Sequence, residues 1–386
     1  MNTILIPWVM DSQKAALSIL FGRTFAIDAR GQCHDSNDFQ LVNKYLYYDE
    51  KTLDRQAGYI KPSILKRDID VYTQRLWTDL VIQGVARSPS PTTSLTVTAT
   101  VRGPRTGFSQ VISVHGDRHV ARGRLGLQLS SPLPFTEIPL RYDKAYGGTD
   151  EHARERLADR LEDRMIFETV GETEDREYSE FSYPRNPAGK GYVLDFDAAL
   201  GMQWPNLEFP DQLLSLENLV LPQNAWGERP YPASFDWFAH AWFPRVAFFG
   251  EIPPTVDGRP PQIEIDLGLF TADLTSTPLI QRPKASFSQG AHPYMWRHRM
   301  QGGETVEVST IGRDGSPLYL VIPDLKPSVR IRPEGARELR IPADLDLVFI
   351  EADARRLTLL WRATTTLHTA PSPVWRNNTA YSIHWA

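Results

Sequence analysis

Thirty prolines are spread along this 386-residue chain and are not gathered into one tract. At an ordinary usage of ~5 %, roughly 19 would be expected. Proline removes a backbone donor, and its ring collides with the preceding turn of a helix. Scattered prolines therefore leave few windows for long helices. The chain is predicted to be mainly β, with antiparallel sandwich or barrel-like lobes, many Pro and Gly loops, and one or two short helices.

Local patterns agree. Leu95, Val97, Ala99 and Val101 alternate with Thr96, Thr98 and Thr100, the signature of a half-buried antiparallel strand. Val111, Ser113 and Gly116 suggest its hairpin partner. Leu20 to Asp28, Lys66 to Tyr72 and Asp79 to Ala86 read as further strands, with an aromatic patch at Tyr45, Tyr47 and Tyr48. Ser88-Pro89-Ser90-Pro91 reads as a turn or short loop. Ile263, Ile265 and Leu267 alternate with Glu264 and Asp266, and Val306 and Val308 flank Glu307. Gly312 to Gly315 is a turn into Leu318 to Ile322. Leu347 to Glu351 and Leu357 to Trp361 form a hairpin through Asp353 to Arg356. The tail, Ala370 to Ala386, reads as a loop whose Trp375, Tyr381 and Trp385 dock on something.

One segment departs from β. Asp150 to Arg164 contains no Pro or Gly, and Ala153, Leu157, Leu161 and Met165 recur on one helical stripe. This predicts a helix at about 150–165, with Thr149 or Asp150 as N-cap. An acidic loop follows to Glu180, so residues 149–180 form a helical and acidic insertion. A boundary in the Ser-, Thr- and Pro-rich stretch from Thr275 to Ala291 predicts a β-rich lobe of residues 1–275 and a C-terminal β lobe of residues 276–386.

With 41 % apolar and 23 % charged residues the chain is an ordinary globular one, able to bury a core without staples. Cys33 is the only cysteine, so no internal disulfide forms and nothing marks an oxidising compartment. The net charge is −5, and no Lys or Arg run offers the basic face that phosphates require, which argues against nucleic acid. No stretch approaches the ~18 apolar residues of a membrane span. The first ten residues are broken by Pro7 and precede the first basic residue, Lys14, unlike a cleaved leader. The expected location is the bacterial cytoplasm.

A search for chemistry is mostly negative. No glycine-rich dinucleotide or phosphate loop, nucleophile elbow, Cys-x-x-Cys or His-Glu-x-x-His is present. No cofactor, metal or catalytic residue is assigned. His115, Asp117 and His119 could offer metal ligands only if a tight turn converges them, because residues four apart in a strand stand ~13 Å apart. Glu162 with Asp163, or Glu264 with Asp266, could be imagined as a glycosidase pair, but the second pair reads more simply as the solvated face of a strand. Trp204, Trp226, Trp237, Trp242 and Trp296 are core plugs, sugar platforms or protein hot spots, with core packing favoured. A carbohydrate-active or carbohydrate-binding β-sandwich therefore stays open as an alternative.

A series of local motifs is more specific. Val101-Arg102-Gly103 is followed by Gly116-Asp117-Arg118. Pro134 to Leu140 then leads through Tyr142 to Ala145-Tyr146-Gly147-Gly148. Asn186-Pro187-Ala188-Gly189-Lys190-Gly191 and Pro205-Asn206-Leu207-Glu208 come next. Trp242, Pro244 and Arg245, then Gly302-Gly303-Glu304, then Trp361-Arg362-Ala363 complete the series. In this order the set resembles the bacterial family known as domain of unknown function 2169, over roughly Leu20 to Thr365, which would make residues 20–365 one continuous domain.

The motif residues read mainly as scaffold. The glycines would supply turns or close backbone approach, Asn186-Pro187 would start a turn, and Arg245 and Arg362 would hold loops by bonds to carboxylates or carbonyls. The resemblance implies a non-enzymatic adaptor or chaperone. Such a protein would hold a type VI secretion effector carrying a PAAR-type tip and assist its loading onto the spike trimer. Tyr146, Gly147, Gly148, Asn186, Pro187, Gly189, Gly191, Pro205, Asn206, Trp242, Pro244, Arg245, Glu304, Trp361 and Arg362 are its structural or partner-binding candidates.

Overall fold

The computed structural model describes residues 2–9, 15–48, 64–72, 74–105, 107–153, 181–183, 185–221, 228–238, 288–332, 338–367 and 380–385. The fold is mainly β, built from several antiparallel sheets, and among the described residues no sheet closes into a barrel. Most of the insertion at 149–180, the strand read at Ile263 to Leu267, and Trp226, Trp242, Pro244, Arg245 and Trp375 lie outside the described residues.

A seven-stranded sheet forms the backbone of the molecule. Its order runs Thr3–Val9, Ala15–Ile27, Arg356–Leu367, Asp344–Glu351, Thr78–Gln83 and Trp296–Arg297, with Cys33–Asp35 also paired to Ala15–Ile27. Within Ala15–Ile27, the residues Ala16, Leu17, Ile19, Leu20 and Phe21 are all at most 1 % exposed. A strand covered on both faces loses the alternation that would mark it, which is why its first five residues escape a period-2 reading. Opposite it, Leu357, Leu359, Leu360 and Trp361 are buried as well.

A second sheet has five strands in the order Leu207–Glu208, Gly107–His115, Ser94–Arg102, Thr305–Val308 and Leu318–Val321. Val97, Ala99 and Val101 turn inward and join one apolar core with the large sheet. The hairpins expected from Leu95 to Gly116, from Val306 through Gly315 to Ile322, and from Leu347 to Trp361 are all present.

Three readings need correction. Ser88 to Pro91 is not a loop, because Val85–Thr92 is a strand paired with Phe135–Pro139. Its register shifts between Phe135 and Glu137, so the two prolines sit where the ladder is already interrupted. Lys66 to Tyr72 is strand only across Leu65–Arg67. Beyond it, Asp68 and Asp70 draw the chain into side-chain hydrogen bonds. The tail is not all loop: Ala380–His384 pairs with Ser328–Arg332. Strands from both sides of 275/276 pair within both large sheets.

At the start of the insertion the helix reading holds for residues 151–153. Asp150 caps it, its Oδ1 accepting from the Ala153 amide at 2.9 Å.

Candidate functional site

Nine of the fifteen candidate residues, Tyr146, Gly147, Gly148, Asn186, Pro187, Gly189, Gly191, Pro205 and Asn206, meet in one loop-built lobe. Its separate core holds Val120, Tyr146, Tyr183, Tyr192, Val193, Ala199, Trp204, Leu214 and Leu219. The ladder joining the two central motifs is short: Tyr146–Gly147 runs parallel to Lys190–Gly191. Side chains supply the remaining order. The Asn186 amide Nδ2 donates to the carbonyls of Tyr142 at 2.8 Å and Tyr146 at 2.9 Å, and the Asn186 carbonyl accepts from the Gly148 amide at 2.8 Å. Pro187, half-buried, continues the turn that Asn186 begins.

Two glycines are dictated by this arrangement. Gly147 lies at φ +144, and a Cβ there would stand 2.0 Å from the Asn186 carbonyl oxygen. Gly191 lies at φ +94, and a Cβ there would stand 2.9 Å from Pro205 Cδ. No side chain fits the first position without moving backbone.

Asn206 forms the second knot. Its Nδ2 donates to the His115 carbonyl at 3.0 Å and Asp117 Oδ1 at 2.9 Å, while its Oδ1 accepts from Lys190 Nζ at 3.0 Å. Arg118 donates from one nitrogen to the Pro205 carbonyl at 2.7 Å and to Glu208 Oε2 at 2.6 Å. The Glu208 Oε1 accepts from the Leu214 amide. Arg229, buried, donates to the Tyr146 hydroxyl at 3.0 Å and to the carbonyls of Leu219 and Leu221. Burial pushes the Tyr146 and Tyr192 phenols up to about 12, and the Lys190 ammonium is pushed down by burial and by Lys144.

The remaining described candidates lie elsewhere. Glu304 is buried beside Gly302 and Gly303, its Oε1 accepting from the Gln301 amide at 3.0 Å. Trp361 is core, stacked on Phe21 at 6.4 Å. Arg362 donates from Nε to Asp346 Oδ2 at 2.6 Å, within the strand Asp344–Glu351, and from a second nitrogen to the Tyr72 carbonyl. Asp346 also meets Arg299 at 3.4 Å, and Arg299 donates to the Arg75 carbonyl. Arg75 pairs with Asp79 at 2.6 Å, and Asp79 accepts from Gln289 and the Gly290 amide. Sequence reasoning missed this buried cluster. Its only signal was Asp within otherwise apolar strands, as at Asp79 and Asp346.

His115 and His119 do not share a site. His115 stands 4.0 Å from Glu208, and burial lowers its imidazole further below the usual range, while His119 is exposed. Among the described residues no three His, Cys, Asp or Glu side chains gather as metal ligands. Trp204 and Trp237 are buried core residues and Trp296 stacks on Trp77 at 5.0 Å.

Most of the described candidate residues are therefore buried, and among the residues that the lobe exposes are several large apolar side chains. Of the ten exposed large apolar side chains among the described residues, five fall within residues 116–221: Leu125, Leu133, Phe196, Leu200 and Leu213. Leu125 tips the hairpin of Val120–Gly123 and Gly126–Leu129. The Phe196 to Leu200 turn lies at the base of this hairpin, where the Gly201 amide donates to the Val120 carbonyl at 2.8 Å.

These features define a mainly β protein in which two joint sheets carry a loop lobe tied by buried side-chain hydrogen bonds. The chain belongs to the bacterial family described as "Uncharacterized protein conserved in bacteria (DUF2169)", whose model matches residues 13–362. No curated protein and no solved structure matches it. No helix among the described residues is long and apolar enough to cross a membrane.

Proposed function

We propose that this protein acts by binding another polypeptide, as an adaptor that holds a PAAR-type type VI secretion effector in the cytoplasm and assists its loading onto the spike trimer. The observation that carries the binding half of this reading is the apolar surface of the loop lobe. Exposed Leu125, Leu133, Phe196, Leu200 and Leu213 stand on a scaffold fixed by Asn186, Asn206, Arg118 and Arg229. Large apolar side chains left in solvent are available to an apolar partner surface, and rigid support lowers the ordering cost of binding. The secretion half comes from the family resemblance.

The test is co-expression with the effector encoded beside this gene, followed by size-exclusion chromatography. A stoichiometric soluble complex that needs no nucleotide supports the reading; an effector that elutes alone and stays soluble without the adaptor sinks it. The carbohydrate reading has one observation in its favour, the half-buried Trp77–Trp296 stack. Retardation on a polysaccharide gel, lost in Trp77→Ala, would prefer it.

A further inference from the structure

The strand Ala380–His384 covers one side of Ser328–Arg332, whose other side is paired with Leu339–Pro342. The two partners are unequal. Val329 and Ile331 are 0 % exposed and belong to the main core, whereas Ala380, Tyr381 and Ser382 are exposed. Among the described residues, the one side-chain hydrogen bond of the outer strand is internal, Ser382 to His384 at 3.0 Å. It is therefore held by the backbone ladder, which is indifferent to sequence, and by two side chains packed on the core, Ile383 and the aromatic anchor Trp385. Trp385 sits edge-on to Phe21 at 5.5 Å and Trp361 at 5.4 Å, with the Arg23 guanidinium 3.9 Å from its ring.

The register shows what the strand lacks. On its outward face, Ala380 stands opposite Arg332, and Ser382 opposite Arg330. Arg330 in turn faces Arg340 across the next pairing. These three exposed arginines share that face with one described carboxylate, Glu338, 3.7 Å from Arg330 and 3.3 Å from Arg332. Opposite charges directly across a strand pair stabilise it and like charges oppose it. The resident strand brings no carboxylate, so three arginines, one of them also donating to the Ser328 hydroxyl, share the single described counter-charge of Glu338.

We propose that this edge is an exchangeable strand-docking site, and that the partner it fits is an extended protein segment with acidic residues at the Ala380 and Ser382 positions, a β-branched residue at Ile383 and an aromatic at Trp385. The resident strand keeps the edge paired until such a segment displaces it, in the manner of strand addition to a sheet edge. The proposal rests on the partner-binding reading only for the source of the incoming strand. Its test uses peptides, so it fails or stands separately from effector binding.

Two measurements on the full chain decide it. In the unmodified protein, hydrogen exchange at Ala380–His384 should be about ten-fold or more faster than in Arg356–Leu367, through local opening of the outer strand. Equal protection overturns the proposal. In the full-length Trp385→Ala variant, whose aromatic slot is open, a fluorescent peptide of residues 380–386 should bind in anisotropy titrations. The same peptide carrying Ala380→Glu and Ser382→Glu should bind about 2- to 30-fold more tightly. Arg330→Glu with Arg332→Glu in the protein should abolish that gain while leaving the first peptide's affinity nearly unchanged. No binding by either peptide, or equal binding by both, overturns it.

Discussion

In the large sheet, Arg356–Leu367 pairs along twelve residues of Ala15–Ile27 and buries Leu357, Leu359, Leu360 and Trp361 between neighbours. In the loop lobe, the ladder between the two central motifs is two residues long, and one side chain, Asn186, donates to the Tyr146 carbonyl and, beside the Ala145 amide, to the Tyr142 carbonyl. The first region is ordered by a repeated backbone pattern and by apolar burial. The second is ordered by a few irreplaceable polar atoms. Losing one of them should cost as much as losing a whole apolar side chain from the first, because an orphaned buried carbonyl keeps its full desolvation penalty.

The largest expected effect breaks this contrast from the side of the sheet. The Arg362–Asp346 pair is buried inside the apolar region. Arg362→Met leaves Asp346 with the weaker Arg299 contact and should cost about 3–5 kcal/mol in urea unfolding. Adding Asp346→Leu should recover most of the loss. If the double variant is no better than the single one, the pair is more than a compensated burial.

Next, Asn186→Leu should cost about 2–4 kcal/mol, with Asn186→Asp similar, since neither can donate to the two carbonyls. Leu360→Ala in the large sheet should cost about 2–5 kcal/mol. The comparison sharpens if the Asn186 variants release the loop lobe alone, read as hydrogen exchange rising at 145–148 and 189–192 but not in Ala15–Ile27. Uniform loss of protection would mean that the two regions unfold as one.

At the seam between the regions lie Asp236 and His292, both buried. Asp236 accepts from Tyr48, Gln83 and the Trp237 amide, and the Ser234 hydroxyl donates to the Leu140 carbonyl two residues before it. Burial raises the Asp236 carboxyl to about 7. Its stabilising, protonated form is complete below the unfolded carboxylate range near 4 and is lost as pH climbs to 7. Burial lowers His292 to about 3. Stability held by the neutral imidazole is present above the unfolded value near 6.5 and is lost as pH falls toward 3. Urea midpoints should show wild type losing about 1–4 kcal/mol relative to Asp236→Asn between pH 4 and pH 7.5. The difference should run the opposite way for His292→Phe. A flat difference in either series refutes the corresponding assignment.

The same contrast governs what the sequence disclosed. The sheet region was largely legible, because period-2 alternation at Leu95–Val101 and the turn at Gly312–Gly315 are local signals. Where both faces of a strand are covered, as at Ala16–Phe21, the alternation vanishes and the strand start was missed. The loop lobe was legible only as a string of Gly, Pro and Asn, whose residues identify turns but not partners. That Asn186 serves Tyr142 and Tyr146, or that Asn206 joins His115, Asp117 and Lys190, depends on contacts tens of residues apart, which no local pattern encodes. The Arg75–Asp79 and Arg362–Asp346 pairs were hidden for the same reason. The apolar surface was invisible too, because a leucine at a hairpin tip reads in sequence like any leucine in a strand.

The smallest expected effect on stability is the one that separates scaffold from surface. Leu125 is fully exposed at the tip of its hairpin, and Gly126 beside it lies at φ +131 with open space where a Cβ would stand. Leu125→Ser removes no buried area and leaves Leu127 and Leu129 packed on the lobe core, so urea midpoints should move by less than about 0.5 kcal/mol. If the lobe surface carries binding, the same variant together with Leu213→Ser should weaken partner capture about ten-fold or more, as truncation of an apolar interface anchor does. The Asn186 variants would weaken capture as well, but only alongside lost protection at 145–148. Capture unchanged by the two leucine substitutions, and lost only when the scaffold loosens, would place the partner on another face, and the covered edge at Ser328–Arg332 would then be the first alternative to probe.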